Sequence, residues 1–156
     1  MTPENFMAEA VRLADEGMRA NHGGPFGCVI VRQGAIIARG NNRVTSTNDP
    51  TAHAEVTAIR EACQHLRTFQ LADCELYTSC EPCPMCLAAI YWARIPTVYY
   101  GNTRADAADI GFDDDFIYQQ IPLPVNERTV KMRPLLRELA QTSFKAWAEK
   151  PNKTAY

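Results

Sequence analysis

The chain has 156 residues, the size of one domain, and 46% of them are hydrophobic, enough to form a real core. Sixteen Lys and Arg against 18 Asp and Glu give a formal charge of −2, which provides no general electrostatic reason to bind nucleic acid. No apolar run approaches a membrane span, and residues 1–15 mix charged with apolar residues, so neither a membrane anchor nor a signal peptide is expected. Six cysteines without a secretory signal favour a reduced, cytoplasmic setting with a thiolate–metal site over a disulfide framework.

The N-terminal part of the chain predicts a helix followed by a β-hairpin. Thr2-Pro3 is a helix-capping pair, apolar residues recur after it at helical spacing, and Gly23-Gly24-Pro25 ends the helix. The apolar run of residues 26–31, the pair Gln33-Gly34 and the run of residues 35–39 predict two strands joined by a tight turn.

The middle of the chain alternates helices and strands. A second helix carries residues 51–55, a strand over residues 75–79 runs into a cysteine-rich segment, and a helix over residues 84–93 leads to a strand over residues 97–101. The predicted apolar face of the second helix consists of Val56, Ile59, Cys63 and Leu66. The order β-β-α-β-α-β predicts an α/β fold of three layers, α/β/α, in which helices cover both faces of a mixed central sheet.

The C-terminal part is predicted to leave the sheet before a last helix begins. The acidic run Asp113-Asp114-Asp115 and the prolines Pro122 and Pro124 indicate an excursion over residues 112–133. The last helix is amphipathic, and its apolar side consists of Leu136, Leu139, Ala140, Phe144 and Trp147. Such a face packs against another surface, either in this subunit or in a second one.

Two short segments together carry the side chains of a hydrolytic zinc site. One segment supplies His53 and Glu55, and the other supplies Cys83 and Cys86. Imidazole and thiolate suit zinc, and three protein ligands leave the fourth tetrahedral position for a water whose pKa zinc lowers to about 7. Glu55 need not bind the metal and can carry protons. H-x-E followed by P-C-x-x-C is the mark of zinc-dependent nucleobase deaminases.

The spacing of these residues places them at helix starts. Pro84 is favoured at the first helical position, so Cys83 is predicted at the N-cap and Cys86 in the first turn, where backbone N–H groups and the helix dipole favour thiolate. His53 and Glu55 are two residues apart and would diverge in a helix interior. They can address one metal only near a helix N-terminus, which the starting signal Asp49-Pro50-Thr51 permits.

A closed structural site is the alternative to this open one. Cys80 could complete a Cys₃His set with the other three ligands, which would make the zinc merely structural. Cys80, however, is predicted at the end of a strand and outside the helical turn, so the open site is favoured. The remaining cysteines lie in apolar patterns and are predicted to be buried core thiols: Cys28, Cys63 and Cys74.

The chain resembles the cytidine deaminase superfamily and, within it, the bacterial guanine deaminases, over essentially all 156 residues. The motifs that carry the resemblance are Gly24-Pro25-Phe26-Gly27, Asn48-Asp49-Pro50-Thr51-Ala52-His53-Ala54-Glu55, Thr78-Ser79-Cys80-Glu81-Pro82-Cys83-Pro84-Met85-Cys86, Tyr91-Trp92-Ala93-Arg94 and Gly111-Phe112-Asp113-Asp114. The first three motifs are shared with tRNA adenosine deaminases and yeast-type cytosine deaminases. The last motif and the terminal Tyr156 indicate guanine.

The resemblance implies a single deaminase domain over residues 1–156 that converts guanine to xanthine and ammonia. It implies one Zn²⁺ per chain on His53, Cys83 and Cys86, with Glu55 as the proton shuttle. The substrate contacts that it implies are Asn42, Ala54, Asp114 and Tyr156, with Phe26 and Trp92 as an aromatic wall. It also implies a homodimer that exchanges the C-terminal segment, about residues 122–156, between its subunits. The expected partner is a small purine base, with no nucleic acid and no membrane.

The chemistry of guanine agrees with a role for Asp114. Guanine offers an N1–H donor and a 2-amino group, which a fixed carboxylate accepts, whereas N1 of adenine is an acceptor and would be repelled. Simpler interpretations remain for each implied contact: the acidic run as a solvated turn, Asn42 as a turn residue at a strand end, Phe26 and Trp92 as core residues, and Tyr156 as a frayed terminus.

Three other functions stay open from the sequence alone. A tRNA adenosine deaminase shares the zinc motif, but its polyanionic substrate should demand a basic surface. A cytosine deaminase shares the motif as well. A non-catalytic zinc module belongs to a different class of protein and would leave no zinc position for water.

Overall fold

The computed structural model describes all residues, 1–156, and they form two compact units, Met1–Asp115 and Phe116–Tyr156. The elements of the chain are, in order, α1 (Pro3–Arg19), β1 (Gly27–Arg32), β2 (Ala35–Asn41), α2 (Val44–Thr47), α3 (Ala54–Leu66), β3 (Cys74–Cys80), α4 (Pro84–Trp92), β4 (Thr97–Asn102), α5 (Arg104–Asp109), α6 (Asp115–Gln120), a 3₁₀ helix (Val125–Glu127) and α7 (Arg137–Glu149). The predicted elements are therefore all present, and the short helices α2 and α5 are added.

The four strands form one mixed sheet in the order β2-β1-β3-β4. β1 is antiparallel to both β2 and β3, whereas β3 and β4 are parallel. On one face, α1 covers Val29, Val31 and Tyr77 with its Phe6. On the other face, α3 and α4 cover a larger cluster that includes Cys28, Ile30 and Leu76. The predicted α/β/α layering with a mixed central sheet is confirmed.

Local capping explains why α1 begins where it does. Thr2 is the N-cap and forms a capping box with Asn5, and Pro3 occupies the first helical position. The backbone N–H groups of the first turn, which have no acceptor inside the helix, thereby gain a side-chain partner.

The buried stripe of α3 differs from the predicted one. Its buried residues are Ala54, Glu55, Ala58 and Ala62, whereas Val56, Ile59, Cys63 and Leu66 are only half-buried at its edge. The reason is a close approach between α3 and β2. A Cβ atom at Gly40 would lie 2.3 Å from the Ala54 carbonyl oxygen and 2.8 Å from the Ala58 nitrogen, so only small residues fit on that side of the helix.

The C-terminal unit exposes the apolar face that the sequence predicts for the last helix. α7 forms as expected, with Leu136 as its N-cap, but it has no buried residue. The exposed fractions along that face are Leu136 66%, Leu139 63%, Phe144 79% and Trp147 44%. The preceding excursion contains no strand, as predicted, but holds α6 and the 3₁₀ helix. None of the helices combines the length and the apolar character needed to cross a membrane.

Candidate active site

Two helix starts bring three metal-binding side chains together. His53 is the N-cap of α3, Cys83 is the N-cap of α4, and Cys86 lies in the first turn of α4. Their possible ligand atoms all lie within 4.8 Å of one another. The backbone N–H of Cys86 donates to Cys83 Sγ at 3.5 Å, as the predicted N-cap position requires. The predicted arrangement of the three ligands at helix N-termini is confirmed.

The spacing of these atoms fits zinc. His53 Nδ1 lies 3.5 Å from Cys83 Sγ and 3.5 Å from Cys86 Sγ. A tetrahedral zinc with ordinary Zn–N and Zn–S bond lengths separates its nitrogen and sulfur ligands by about 3.6 Å. Imidazole and thiolate are also the donors that zinc prefers. His53, Cys83 and Cys86 therefore form a possible zinc site, with one site per chain.

The local electrostatics favour thiolate at Cys83. Hydrogen bonding from Cys86 lowers the pKa of Cys83 first, and His53 and the Cys86 backbone N–H lower it further. The hydrogen bond with Cys83 in turn raises the pKa of His53. A thiol must lose its proton to bind a metal, so these contacts prepare Cys83 for zinc, whereas the hydrogen bond with Cys83 and burial raise the pKa of Cys86.

Cys80 is not part of this cluster. It is buried at the end of β3, and its Sγ atom lies 3.7 Å from the carbonyl oxygen of Thr103. The cluster of possible ligands consists of His53, Cys83 and Cys86. Three protein ligands give an open zinc site, as predicted, and the geometry does not support the closed Cys₃His alternative.

Glu55 lies in the first turn of α3, next to the ligand cluster. Its side chain is buried, and the hydroxyl of Thr78 donates to Glu55 Oε1 at 3.2 Å. Burial raises the pKa of the carboxyl group, while hydrogen bonds from its own backbone N–H and from Cys86 lower it. A raised pKa makes a carboxyl group a better proton acceptor, as a proton carrier requires.

Asn42 presents the nitrogen end of its amide. Its side chain is buried, and Oδ1 accepts from the backbone N–H groups of Gly24 at 3.3 Å and Val44 at 3.1 Å. Two donors at Oδ1 fix the orientation of the amide and leave Nδ2 to donate. A Cβ atom at Gly23 would lie 2.2 Å from Asn42 Oδ1, so glycine is needed there.

Asp114 carries a buried oxygen that has no hydrogen-bond donor. Oδ1 of this carboxyl group is inaccessible and unpaired. Burial raises the pKa of Asp114, and the negative charge of Asp114 contributes to the raised pKa of His53, so the two groups lie near one another. An unpaired buried acceptor costs free energy. A ligand with an N–H donor would satisfy it.

The remaining predicted contacts fall in different places. Phe26 packs edge-on against Phe112, with ring centroids 4.9 Å apart, and Ala54 is buried between His53 and Glu55. Trp92 is 61% exposed at the end of α4 opposite the zinc ligands. Tyr156 belongs to the C-terminal unit. The substrate roles of these residues stay predictions.

The sequence analysis missed three residues that shape the site: Gly23, Thr78 and Phe112. Phe112 lies in the motif Gly111-Phe112-Asp113-Asp114, two residues before Asp114, and its apolar ring could have been considered as a partner for Phe26. Thr78 gave no local signal, because it is one of two adjacent polar residues in β3 and its role depends on how β3 lies beneath α3. Gly23 gave no such signal, because its requirement arises only from a close approach in the folded chain.

Comparison with known proteins places this geometry in a family. Residues 1–102 match the model of the cytidine and deoxycytidylate deaminase zinc-binding region. The guanine deaminase of Bacillus subtilis (strain 168) is 56% identical over 156 residues, 100% of both chains. Its X-ray structure has a TM-score of 0.97 to this chain and covers 100% of it and 99% of the solved chain.

More distant relatives include guanine deaminases and tRNA-specific adenosine deaminases. A solved structure of guanine deaminase from Nitrosomonas europaea is 33% identical, with a TM-score of 0.70 over 80% of this chain and 69% of that one. A tRNA-specific adenosine deaminase of Streptococcus pyogenes serotype M1 is 37% identical over 150 residues, 93% of this chain and 85% of the relative. The family-model match and the full-length similarity lead to the same conclusion: the chain belongs to the cytidine and deoxycytidylate deaminase family, in the group that includes the bacterial guanine deaminases.

Proposed function

We propose that the protein hydrolyses guanine to xanthine and ammonia. The observation that carries this proposal is the unpaired, buried Oδ1 of Asp114 beside the zinc ligands. The full-length similarity to a protein named guanine deaminase supports it. The reaction consumes guanine and water and needs no other reactant.

Guanine supplies the groups that the site lacks. Its N1–H and 2-amino group are adjacent donors, and the carboxylate of Asp114 accepts from them. Asn42 Nδ2 donates to an acceptor on the base, because its Oδ1 is already engaged by backbone N–H groups. Adenine has an acceptor at N1, which a carboxylate repels, so the pair of polar groups discriminates between the two purines.

Glu55 moves the protons in this reaction. Zinc on His53, Cys83 and Cys86 supplies Lewis acidity that makes water available as a nucleophile at neutral pH. Glu55 accepts a proton from the attacking water and delivers it to N3 of guanine as the water oxygen bonds to C2. Glu55 then carries the second proton to the leaving amine, which departs as ammonia. Its buried position next to the ligand cluster supports this role.

An ammonia-release assay tests the proposed substrate. Guanine, adenine, cytosine, guanosine and a tRNA anticodon stem-loop are compared under identical conditions with the zinc-loaded protein. We expect guanine to be the best substrate by a large factor. Faster ammonia release from the stem-loop would favour the tRNA adenosine deaminase alternative. The similarity to the tRNA-specific adenosine deaminase of Streptococcus pyogenes is the reason to include this substrate.

We also propose a homodimer in which residues from about 122 onward cross to the partner. Every residue after Ala107 is at least partly exposed within the single chain, and the apolar face of α7 is open. Large contiguous apolar surfaces mark sites of association. In this proposal, a second copy of the chain covers that face, Tyr156 closes the neighbour's pocket, and Trp92 contributes to the aromatic wall across the dimer.

We also propose a cytoplasmic location, which the state of the cysteines supports. All six cysteines are free thiols. Free thiols persist in a reducing compartment and would be at risk of oxidation outside it.

A further inference from the structure

We propose that Thr78 is a positioning residue that holds the Glu55 carboxylate in its working orientation, an inference that rests on the proposed function. The Thr78 hydroxyl donates to Glu55 Oε1 at 3.2 Å. Thr78 is 1% exposed and Glu55 is 6% exposed, so the hydrogen bond is shielded from bulk water. A shielded hydrogen bond to a charged group is stronger than an exposed one between neutral groups.

The apolar surroundings of Thr78 in the sheet favour a specific role for its hydroxyl as a hydrogen-bond partner of Glu55. Thr78 lies on β3 opposite Cys28 of β1, and Leu76 lies two residues earlier on the same face. Both Cys28 and Leu76 belong to the apolar cluster beneath α3 and α4. A hydroxyl in an apolar layer costs free energy unless it has a partner, and a valine would fill the same volume without that cost.

The contact also determines which oxygen of Glu55 carries protons. With Oε1 engaged by Thr78, we expect Oε2 to be the oxygen that takes part in proton transfer. A general base acts only within hydrogen-bond reach of the proton it takes, so a carboxylate that rotates loses rate even if it stays nearby. Threonine is β-branched and stiff at χ1, which makes it a better anchor than a flexible side chain.

The anchor connects the two halves of the site. Glu55 is on α3, two residues after His53, whereas Thr78 is on β3, which ends at Cys80, three residues before Cys83. The hydrogen bond therefore relates the proton carrier to the strand that delivers the cysteine ligands. A shift of α3 relative to β3 would move Glu55 away from the metal, and the Thr78 contact opposes that shift.

Two substitutions with different chemistry test this role. Thr78→Val keeps the shape and removes the donor, and we expect kcat for guanine to fall roughly ten- to hundredfold, the loss usual when a partner that orients an active-site group is removed. We expect KM to change far less, because the base is bound by other residues. Thr78→Ser keeps the hydroxyl and should restore kcat to near the wild-type value.

A matched control separates positioning from packing. Leu76→Val removes one methylene from the same face of the same strand. It should lower the melting temperature without lowering kcat. Zinc content, measured on all variants, should stay at one ion per chain. Equal losses of kcat in Thr78→Val and Thr78→Ser, or wild-type turnover in Thr78→Val, would overturn the proposal.

Crystal structures of the variants provide a readout that does not depend on activity. In Thr78→Val the Glu55 carboxylate should leave its present orientation, and in Thr78→Ser it should keep it. An unchanged Glu55 conformation in Thr78→Val would overturn the positioning role. A wild-type protein that did not deaminate guanine would instead refute the proposed function, and the two crystal structures would still decide the role of Thr78.

Discussion

At the scale of single residues, the proposed chemistry depends on Glu55, a carboxyl group that lies next to the possible zinc ligands but is not needed as a ligand. Glu55→Gln keeps the volume and the contact with Thr78 but cannot carry a proton. We expect kcat to fall by at least roughly 10²–10⁴-fold, the contribution of general acid–base catalysis. Zinc content should be unchanged, because His53, Cys83 and Cys86 remain. Steady-state kinetics with metal analysis check both, and near-normal turnover would remove Glu55 from the mechanism.

In the proposed function, substrate choice depends on a different carboxyl group, that of Asp114. Asp114→Asn replaces one oxygen of the unpaired acceptor by an N–H donor, so the new amide and guanine would present donors to each other. We expect the zinc-loaded variant to lose most of its kcat/KM for guanine, since sites that recognise hydrogen-bonding groups can discriminate by up to about 10⁴–10⁵. Steady-state kinetics with guanine measure the loss.

The adjacent residue provides a matched control for Asp114. Asp113 is exposed, and its Oδ1 accepts from the backbone N–H of Asp115 at 3.1 Å, a local turn contact. Asp113→Asn should therefore have a much smaller effect on guanine kinetics. If the two variants behaved alike, the acidic run would be a solvated turn with no role in specificity.

The residues of the candidate site could be predicted from the sequence where their roles follow from their neighbours in the chain. His53, Cys83 and Cys86 were predicted because ligand spacing and the proline at the helix start are local features. Thr78 and Gly23 were not predicted, because their roles arise from the register of β3 beneath α3 and from a loop that touches Asn42. Such contacts join distant parts of the chain, and no local pattern encodes them.

At the scale of elements, the site depends on how closely α3 approaches the sheet. In Gly40→Ala the new Cβ atom would meet the backbone of Ala54 and Ala58, which cannot rotate away. We expect a loss of about 1–3 kcal/mol in the free energy of unfolding, as for other overpacked cores. Because α3 starts at His53, the displacement should also weaken zinc binding. Denaturant unfolding and a competitive zinc chelator measure the two effects.

The hairpin turn offers a control for Gly40. Gly34 has a φ of +75° and nothing near the position of a Cβ atom. Gly34→Ala should therefore cost stability through backbone strain alone and leave zinc affinity unchanged. Equal zinc affinity in wild type and Gly40→Ala would contradict the idea that the close approach positions His53.

The predicted face of α3 was only partly correct, for the same physical reason: Ile59, Cys63 and Leu66 pack against the core cluster but stay half-buried. Periodicity favoured the larger apolar residues, Val56 and Ile59, as the buried stripe, but the helix buries its alanines because β2 comes so near. The type and order of the predicted elements were correct, since they depend on local propensity and turn signals. Which side of a helix faces the sheet depends on the distance between layers, which the sequence of one helix does not determine.

At the scale of the whole molecule, one unit carries the possible zinc site and the other carries the exposed apolar face of α7. The periodicity of α7 predicted a helix that packs on something, but it could not say whether that partner is the same subunit. The proposed exchange gives this face a partner. It also gives Tyr156 a function, since a closed pocket excludes bulk water and strengthens the polar contacts around the base.

Deletion of residues 152–156 tests the role of the chain end. These residues lie beyond α7, so we expect the truncated protein to remain a folded, zinc-loaded dimer with sharply reduced guanine turnover. Analytical ultracentrifugation, zinc analysis and steady-state kinetics check the three expectations. Full activity in the truncated protein would show that the terminus is an ordinary frayed tail.

Mixed dimers decide whether the chain end acts on its own site or on the neighbour's. Subunits with Glu55→Gln lack the proton carrier, and subunits without residues 152–156 lack the terminus. When the two are coexpressed, an exchanged dimer combines an intact Glu55 from one subunit with an intact Tyr156 from the other. Activity should then return to about a quarter of the wild-type value, because half of the dimers are mixed and each has one complete site. If each terminus served its own subunit, no complete site could form and the mixture would stay as inactive as its components.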